Sequence, residues 1–204
     1  MELKEIEMED RILEKARELF FFFGIKSITM DDIAKHLGIS KKTLYTHYKD
    51  KGEIVRLIMG GLLTEHVEEM LKVKENTKNA VEAVVLQSKI LFTVFKDIKP
   101  NVFFEIEKHF PDLAGQFSEH RCNCMLDLIK QNLEKGKAEG FYREDLEVPF
   151  TAQVRLNQLV SAFDEKAYES VEFNLQHILD KITSFYLNAI CNDKGKQLIP
   201  TYIK

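Results

Sequence analysis

The 204 residues include 45% hydrophobic and 30% charged side chains, four Pro and nine Gly, a balance that excludes a disordered, collagen-like or low-complexity chain. The formal net charge of -4 means that any contact with nucleic acid must come from a local basic patch, not from the whole surface. No run of ~18 apolar residues occurs, so no membrane-spanning helix is expected. The opening Met1-Glu2-Leu3-Lys4-Glu5 lacks the basic-then-apolar layout of an export signal, and the three Cys are expected as free thiols of a cytoplasmic protein.

Apolar residues recur at steps of three and four, which predicts an all-α chain of about nine helices. Ile12, Ala16, Leu19, Phe20 and Phe23 form a first apolar face, ended at Gly24. Thr29 with Asp32 is a variant of the capping box and opens a second helix, whose face is Ile33, Ala34 and Leu37 and whose stop is Gly38. Ser40 caps a short third helix carrying Leu44 and Tyr48, and Asp50 with Glu53 opens a fourth from Lys51 to about Leu71. The charged stretch Lys72–Lys78 is the expected joint. Five further helices are expected at about Asn79–Asp97, Asn101–His109, Leu113–Glu139, Val148–Glu165 and Ser170–Ala189, punctuated by Pro100, Pro111, Gly140 and Pro149.

The stretch from Thr29 to Lys51 has the layout of a helix-turn-helix, two short capped helices joined by Leu37-Gly38-Ile39-Ser40. With Leu44 placed at the core, Tyr48 falls ~40° away on the same side, at ~100° per residue. Lys42, Thr43 and Thr46 then point outward, with Tyr45 and His47 on the flanks. Lys and Thr are side chains that read base edges in a major groove, and the flanking hydroxyl and imidazole suit phosphate. Thr29 and Lys51 lie at helix N-termini, where amide donors already favour an anion. Lys41, Lys42, Lys49 and Lys51 against Asp50 make this segment a small basic patch on an acidic chain.

These residues carry a resemblance. Arg11 to Ile54 resembles the DNA-binding domain of tetracycline-repressor-type regulators, the TetR family, through Ile12-Leu13, Ala16, Leu19-Phe20, Gly24, Thr29, Asp32-Ile33-Ala34, Gly38-Ile39-Ser40, Thr43-Leu44-Tyr45, His47-Tyr48 and Lys51. A second echo is Gly136-Lys137-Ala138-Glu139-Gly140-Phe141-Tyr142-Arg143, similar to the turn after the long central helix of that family. The resemblance implies a DNA-binding domain over residues 1–56 and a ligand-binding and dimerisation domain over 57–204. It also implies a homodimeric repressor released from a double-stranded, palindromic operator by a small-molecule inducer. Its DNA contacts would be Thr29, Ser40, Lys41, Lys42, Thr43, Tyr45, Thr46, His47 and Lys51. Lys42 stands where the family often has a small residue, Tyr48 where Phe is commoner, and Phe21-Phe22-Phe23 where polar residues are usual. The three Phe cannot all face one side of a helix, and contact with the regulatory domain is expected.

In the second half, Phe150, Val154, Leu159, Val160 and Phe163 line one late helix, and Val171, Leu175, Ile178, Leu179, Ile182, Phe185 and Tyr186 line the next. With the resemblance, Phe150, Val154, Leu175, Ile178, Ile182 and Phe185 are the expected dimer interface. An aromatic cluster with interleaved polar groups makes Phe92, Phe95, Phe103, Phe104, His109, Phe117 and His120 the candidate ligand pocket. Cys122 and Cys124 point ~200° apart on a helix and do not jointly hold a metal ion, so neither metal nor cofactor is expected. No Gly-rich phosphate loop, Gly-x-Ser-x-Gly or HExxH motif is present, and no enzyme is expected. The alternatives are a DNA-binding architectural or activator protein without an inducer and a helical enzyme.

Overall fold

The computed structural model describes residues 2–168 and 174–202, with side chains from residue 6 onward. The described residues are helical, and apart from an isolated bridge between Tyr142 and Cys191 they hold no extended pairing. No helix among them is long and apolar enough to cross a membrane.

The chain packs as two compact units, residues 1–64 with 97–117, and residues 65–96 with 118–204. The first holds α1 (Glu2–Phe23), α2 (Met30–Leu37), α3 (Lys41–His47), the start of α4 (Lys51–Asn76), α6 (Pro100–His109) and most of α7 (Pro111–Glu119). Its core is built from Ile12, Ala16 and Phe20 of α1, Ile33 of α2, Leu44 of α3 and Ile54 of α4, each essentially inaccessible. Pro100 stands in the first turn of α6, where its missing N–H costs nothing.

The second unit holds the rest of α4, α5 (Ala80–Phe95), α8 (Leu126–Ala138), α9 (Val148–Ser161) and α10 (Leu175–Ile190), followed by short α11 (Asp193–Lys196) and α12 (Ile199–Tyr202). Here α8 packs on α5 and α9, and α10 on α5 and α9. The expected helix over residues 113–139 is present, but His120–Met125 winds as a π-helix between α7 and α8. The segment Gly136–Arg143 ends α8. The Phe141 and Tyr142 amides both donate to the Gly136 carbonyl, and fully buried Tyr142 donates its hydroxyl to Asn132 Oδ1 at 3.0 Å. Asn132 in turn donates to the Ala80 carbonyl at 2.9 Å. A Cβ on Gly136 would stand 2.1 Å from the Tyr142 ring, so only glycine lets this ring close on α8.

Two expectations about organisation change. The charged stretch at 72–78 is not where the units divide, because α4 runs on to Asn76 with Met70 and Val73 buried. Residues 97–117, expected with the later domain, pack in the first unit instead. Glu105 of α6 accepts the Lys26 amide at 2.9 Å, and Asp112 of α7 takes Arg56 Nε at 2.6 Å. The run Phe21-Phe22-Phe23 also resolves inside this unit: Phe21 is buried, Phe22 and Phe23 are exposed and meet edge to face, and the Lys99 ammonium lies 4.3 Å above the Phe22 ring.

Candidate functional sites

In the first unit the helix-turn-helix follows from local chemistry. Thr29 is extended and caps α2: its hydroxyl accepts the Asp32 amide, and the Asp32 carboxylate accepts the Thr29 amide at 2.9 Å. The Thr29 hydroxyl, donating to the Asp32 carboxylate at 2.6 Å, and then the Thr29 amide hold the Asp32 carboxyl below its ordinary range. Gly38 ends α2 with φ 68°, the left-handed conformation, and its amide reaches back to Ala34 and Lys35. Ser40 caps α3, accepting the Thr43 amide at 3.0 Å. The turn is therefore set by a cap, a left-handed glycine and a cap within twelve residues of sequence.

The two faces of α3 separate as its periodicity predicts. Leu44 and Tyr48 are buried, while Lys41, Lys42, Tyr45 and Thr46 are exposed and Thr43 and His47 are half-buried. Thr46 donates its hydroxyl back to the Thr43 carbonyl at 2.6 Å, which leaves its methyl and an acceptor lone pair outward. Tyr48 donates to the Glu9 carbonyl at 3.3 Å, and burial pushes its phenol up to about 12. His47 lies 3.5 Å from the Glu9 carboxylate.

The basic residues divide by role. Lys41 is paired with Asp31 at 2.7 Å, with both side chains exposed, an arrangement of small net value in water. Lys51 was expected at a phosphate, but its ammonium donates to the Ile25 carbonyl at 2.9 Å and the Ile28 carbonyl at 2.8 Å, and burial pulls it below the ordinary lysine range. It ties the loop between α1 and α2 to the start of α4. Lys42, exposed on the outer side of α3, is the cation best placed to leave the surface.

The seven residues expected around a ligand are split between the units. Phe103, Phe104, His109 and Phe117 belong to the first, where Phe103 and Phe117 meet edge to face at 6.1 Å and Phe104 and His109 are exposed. Phe92, Phe95 and His120 belong to the second. There His120 Nε2 lies 2.9 Å from Nδ1 of fully buried His66, whose ring packs against Phe95. Burial, and then His120, pull His66 down to about 3.

A small cavity, partly open to solvent, lies in the second unit, and none of those seven residues lines it. Its walls come from α4, α5, π-helical Met125, α8, α9 and α10, with Met70, Leu91, Met125 and Leu159 apolar and Ser88, Arg155 and Tyr186 polar. Arg155 is 3% exposed. Its guanidinium donates to the Thr183 hydroxyl at 2.9 Å and the Ile182 carbonyl at 3.3 Å, and stands 4.7 Å from the Tyr186 ring. The available signal in the sequence was an arginine at the core step of α9, in line with Ala152, Leu156 and Leu159, all of them buried.

Of the expected interface residues, Phe150, Val154 and Phe185 are exposed at 64%, 40% and 73%, and Leu175 and Ile182 are half-buried. Ile178 is a correction: it is buried within its own unit, because α10 turns it toward the core with Leu179. Val171, assigned to the same face, lies outside the described residues. Among the described residues no group of three or more His, Cys, Asp or Glu could hold a metal ion. Burial pushes the Cys124 thiol up and the Cys191 thiol up to about 11, away from the reactive thiolate.

Residues 12–58 match the family profile of bacterial regulatory proteins, tetR family. Over 79 residues the chain is 34% identical to an HTH-type transcriptional regulator of Staphylococcus aureus, covering 39% of this chain and 43% of that one. Over 131 residues it is 26% identical to the HTH-type transcriptional regulator TtgR of Pseudomonas putida, covering 61% of each. The match thus spans about half the length of these relatives. Among solved structures the chain resembles a protein of Saccharomonospora viridis in complex with choline, with a TM-score of 0.78, 16% identity, and 91% of this chain and 98% of that one covered. It also resembles the ketosteroid transcriptional regulator KstR2 of Mycobacterium tuberculosis, with a TM-score of 0.65, 20% identity, and coverage of 91% and 96%. A third is SmeT in complex with triclosan, at 0.69, 15% identity, and coverage of 92% and 93%. At such identities these likenesses establish the fold.

Proposed function

We propose, from the match of residues 12–58 to the tetR family of bacterial regulatory proteins, that the chain is a DNA-binding transcriptional regulator of that family, a homodimeric repressor that a small molecule releases from a palindromic operator. The observation that carries the reading is the two-faced α3, capped at Ser40, with Leu44 and Tyr48 buried and Lys42, Tyr45 and Thr46 outward. Set in a major groove, Lys42 donates to guanine edges and the Thr46 methyl meets thymine, while Thr29, Ser40, Tyr45 and His47 face phosphates. Lys41 joins them on giving up its exposed pair with Asp31, and Thr43 supports the register from the flank.

The remaining parts of the reading rest on the second unit. Phe150, Val154 and Phe185 expose large apolar surface on α9 and α10, which a second copy would cover. The cavity favours a ligand-responsive regulator over an architectural DNA binder. Neighbours of the same fold were solved in complex with choline and with triclosan. Repression would then work by population shift: DNA and ligand prefer different states of the dimer, and each weakens the other by the same factor.

A genome-fragment binding selection with the purified chain tests the reading. It should yield a palindrome with half-sites about one helical turn apart, or a multiple. Lys42→Ala should then cost roughly 1–3 kcal/mol and relax preference at one base-pair position in each half-site. Unchanged affinity and preference in the folded variant would remove α3 as the reader.

A further inference from the structure

The second unit encloses a cation that no anion neutralises among the described residues. The partners of the Arg155 guanidinium are a hydroxyl, a carbonyl and the Tyr186 ring. No described carboxylate forms an ion pair with it. Burial pulls it down only to about 10, so it is a cation at neutral pH. A guanidinium taken out of water without a counter-ion is costly, and α9 could have placed an apolar residue here at no loss of helix.

A second group points the same way. The Tyr186 hydroxyl is buried and has no hydrogen-bond partner among the described residues, and burial holds it neutral by pushing it well above its ordinary range. A neutral phenol is a donor. Arg155 and Tyr186 both line the cavity, whose other walls include Val84, Leu91 and Met125. Two donors, one of them charged, thus stand at a small cavity whose walls, apart from Gln87, Ser88 and Asn132, are otherwise hydrocarbon.

We infer that this cavity binds a monoanionic amphiphile, a carboxylate on a compact apolar body, with the carboxylate seated on Arg155 and the Tyr186 hydroxyl and the body against Leu91, Met125 and Leu159. The carboxylate supplies the ion pair that Arg155 lacks among the described residues, and a planar guanidinium suits it better than any neutral head. A cationic head would meet like charge, and a neutral alcohol would leave the guanidinium unpaired. The inference deepens the regulator reading and rests on it for what the ligand does, so operator binding is measured on the same samples.

The test is calorimetric titration of the full chain at neutral pH with decanoate, decanol and decyltrimethylammonium. Decanoate should bind at least about tenfold more tightly than decanol, and the cation not measurably. Arg155→Gln should bring decanoate and decanol to within about twofold of each other, and Arg155→Lys should keep part of the preference. Should Arg155→Gln not fold, Tyr186→Phe keeps the ring and should weaken decanoate by roughly threefold or more while leaving decanol alone. Three results overturn the inference: decanol or the cation binding as tightly as decanoate, a preference untouched by the folded variants, or no binding by any of the three. Operator binding without anion preference overturns this inference alone, and anion preference without operator binding overturns the regulator reading alone.

Discussion

Lys51 offers a direct contest between two roles for one side chain. Its ammonium makes two bonds to loop carbonyls, at 2.9 Å and 2.8 Å, and those carbonyls belong to Ile25 and Ile28, both buried residues. Lys51→Met keeps most of the stem and removes the donors. A hydrogen bond from a charged group is worth ~1.5–3 kcal/mol, and a carbonyl left without a partner loses ~1–3 kcal/mol; the Ile25 carbonyl keeps the Ile28 amide at 3.4 Å. Lys51 is only part-buried, so water replaces some of that loss, and we expect about 2 kcal/mol for the two bonds together. For a chain of this size that is a fall in melting temperature of about 4–8 °C. Lys42→Ala, on an exposed helix face, should stay within ~0.5 kcal/mol of the wild type. The assay is thermal unfolding by circular dichroism, paired with operator affinity against salt. If Lys51→Met melts within about 1 °C of wild type while operator affinity drops and the salt slope shallows, the ammonium serves a phosphate and the assignment to the loop is wrong.

Three further expectations follow from named contacts. Gly136→Ala would put a methyl 2.1 Å from the buried Tyr142 ring, and the overpacking should cost ~1–3 kcal/mol, visible as a lower melting temperature; an unchanged melt would mean that the ring has room to move. Phe185→Glu should leave the protomer fold intact, since the side chain is 73% exposed, and convert dimer to monomer in light scattering at micromolar concentration; a persistent dimer would place the interface elsewhere. His66 is pulled from 6.5 down to about 3, so its neutral form stabilises the folded state fully above about pH 6.5, and that contribution is lost as pH falls from there toward 3. His66→Phe should flatten the fall in melting temperature over this window, and a pH profile identical to wild type would show that another group controls it.

Much of the helix-turn-helix was legible in the sequence because its determinants are local. Thr29 with Asp32, Gly38, and Ser40 with Thr43 each act over three or four residues, and a helical wheel separates Leu44 and Tyr48 from Lys42 and Thr46 without knowledge of any neighbour. The same locality made the all-α class and the ends of most helices readable, including the glycine turn after α8.

What tertiary structure alone decided depends on partners far away in the chain. Lys41, Lys42 and Lys51 look equivalent as a basic cluster. Folding pairs the first with Asp31, commits the third to carbonyls 23 and 26 residues earlier, and leaves the second on the surface. On α9 the periodicity grouped Leu159 with Phe150 and Val154; packing buries Leu159 with Ala152, Arg155 and Leu156 and leaves Phe150 and Val154 outside. Residues 97–117 join the first unit through Glu105, which reaches an amide 79 residues away. The candidate ligand site is not the cluster of aromatics, close in sequence, but a cavity whose polar wall joins Arg155 to Thr183 on another helix. Periodicity reports which side of a helix is apolar, a property of one segment; which polar group meets which, and where space is left over, is settled only when segments distant in sequence compete for the same interior.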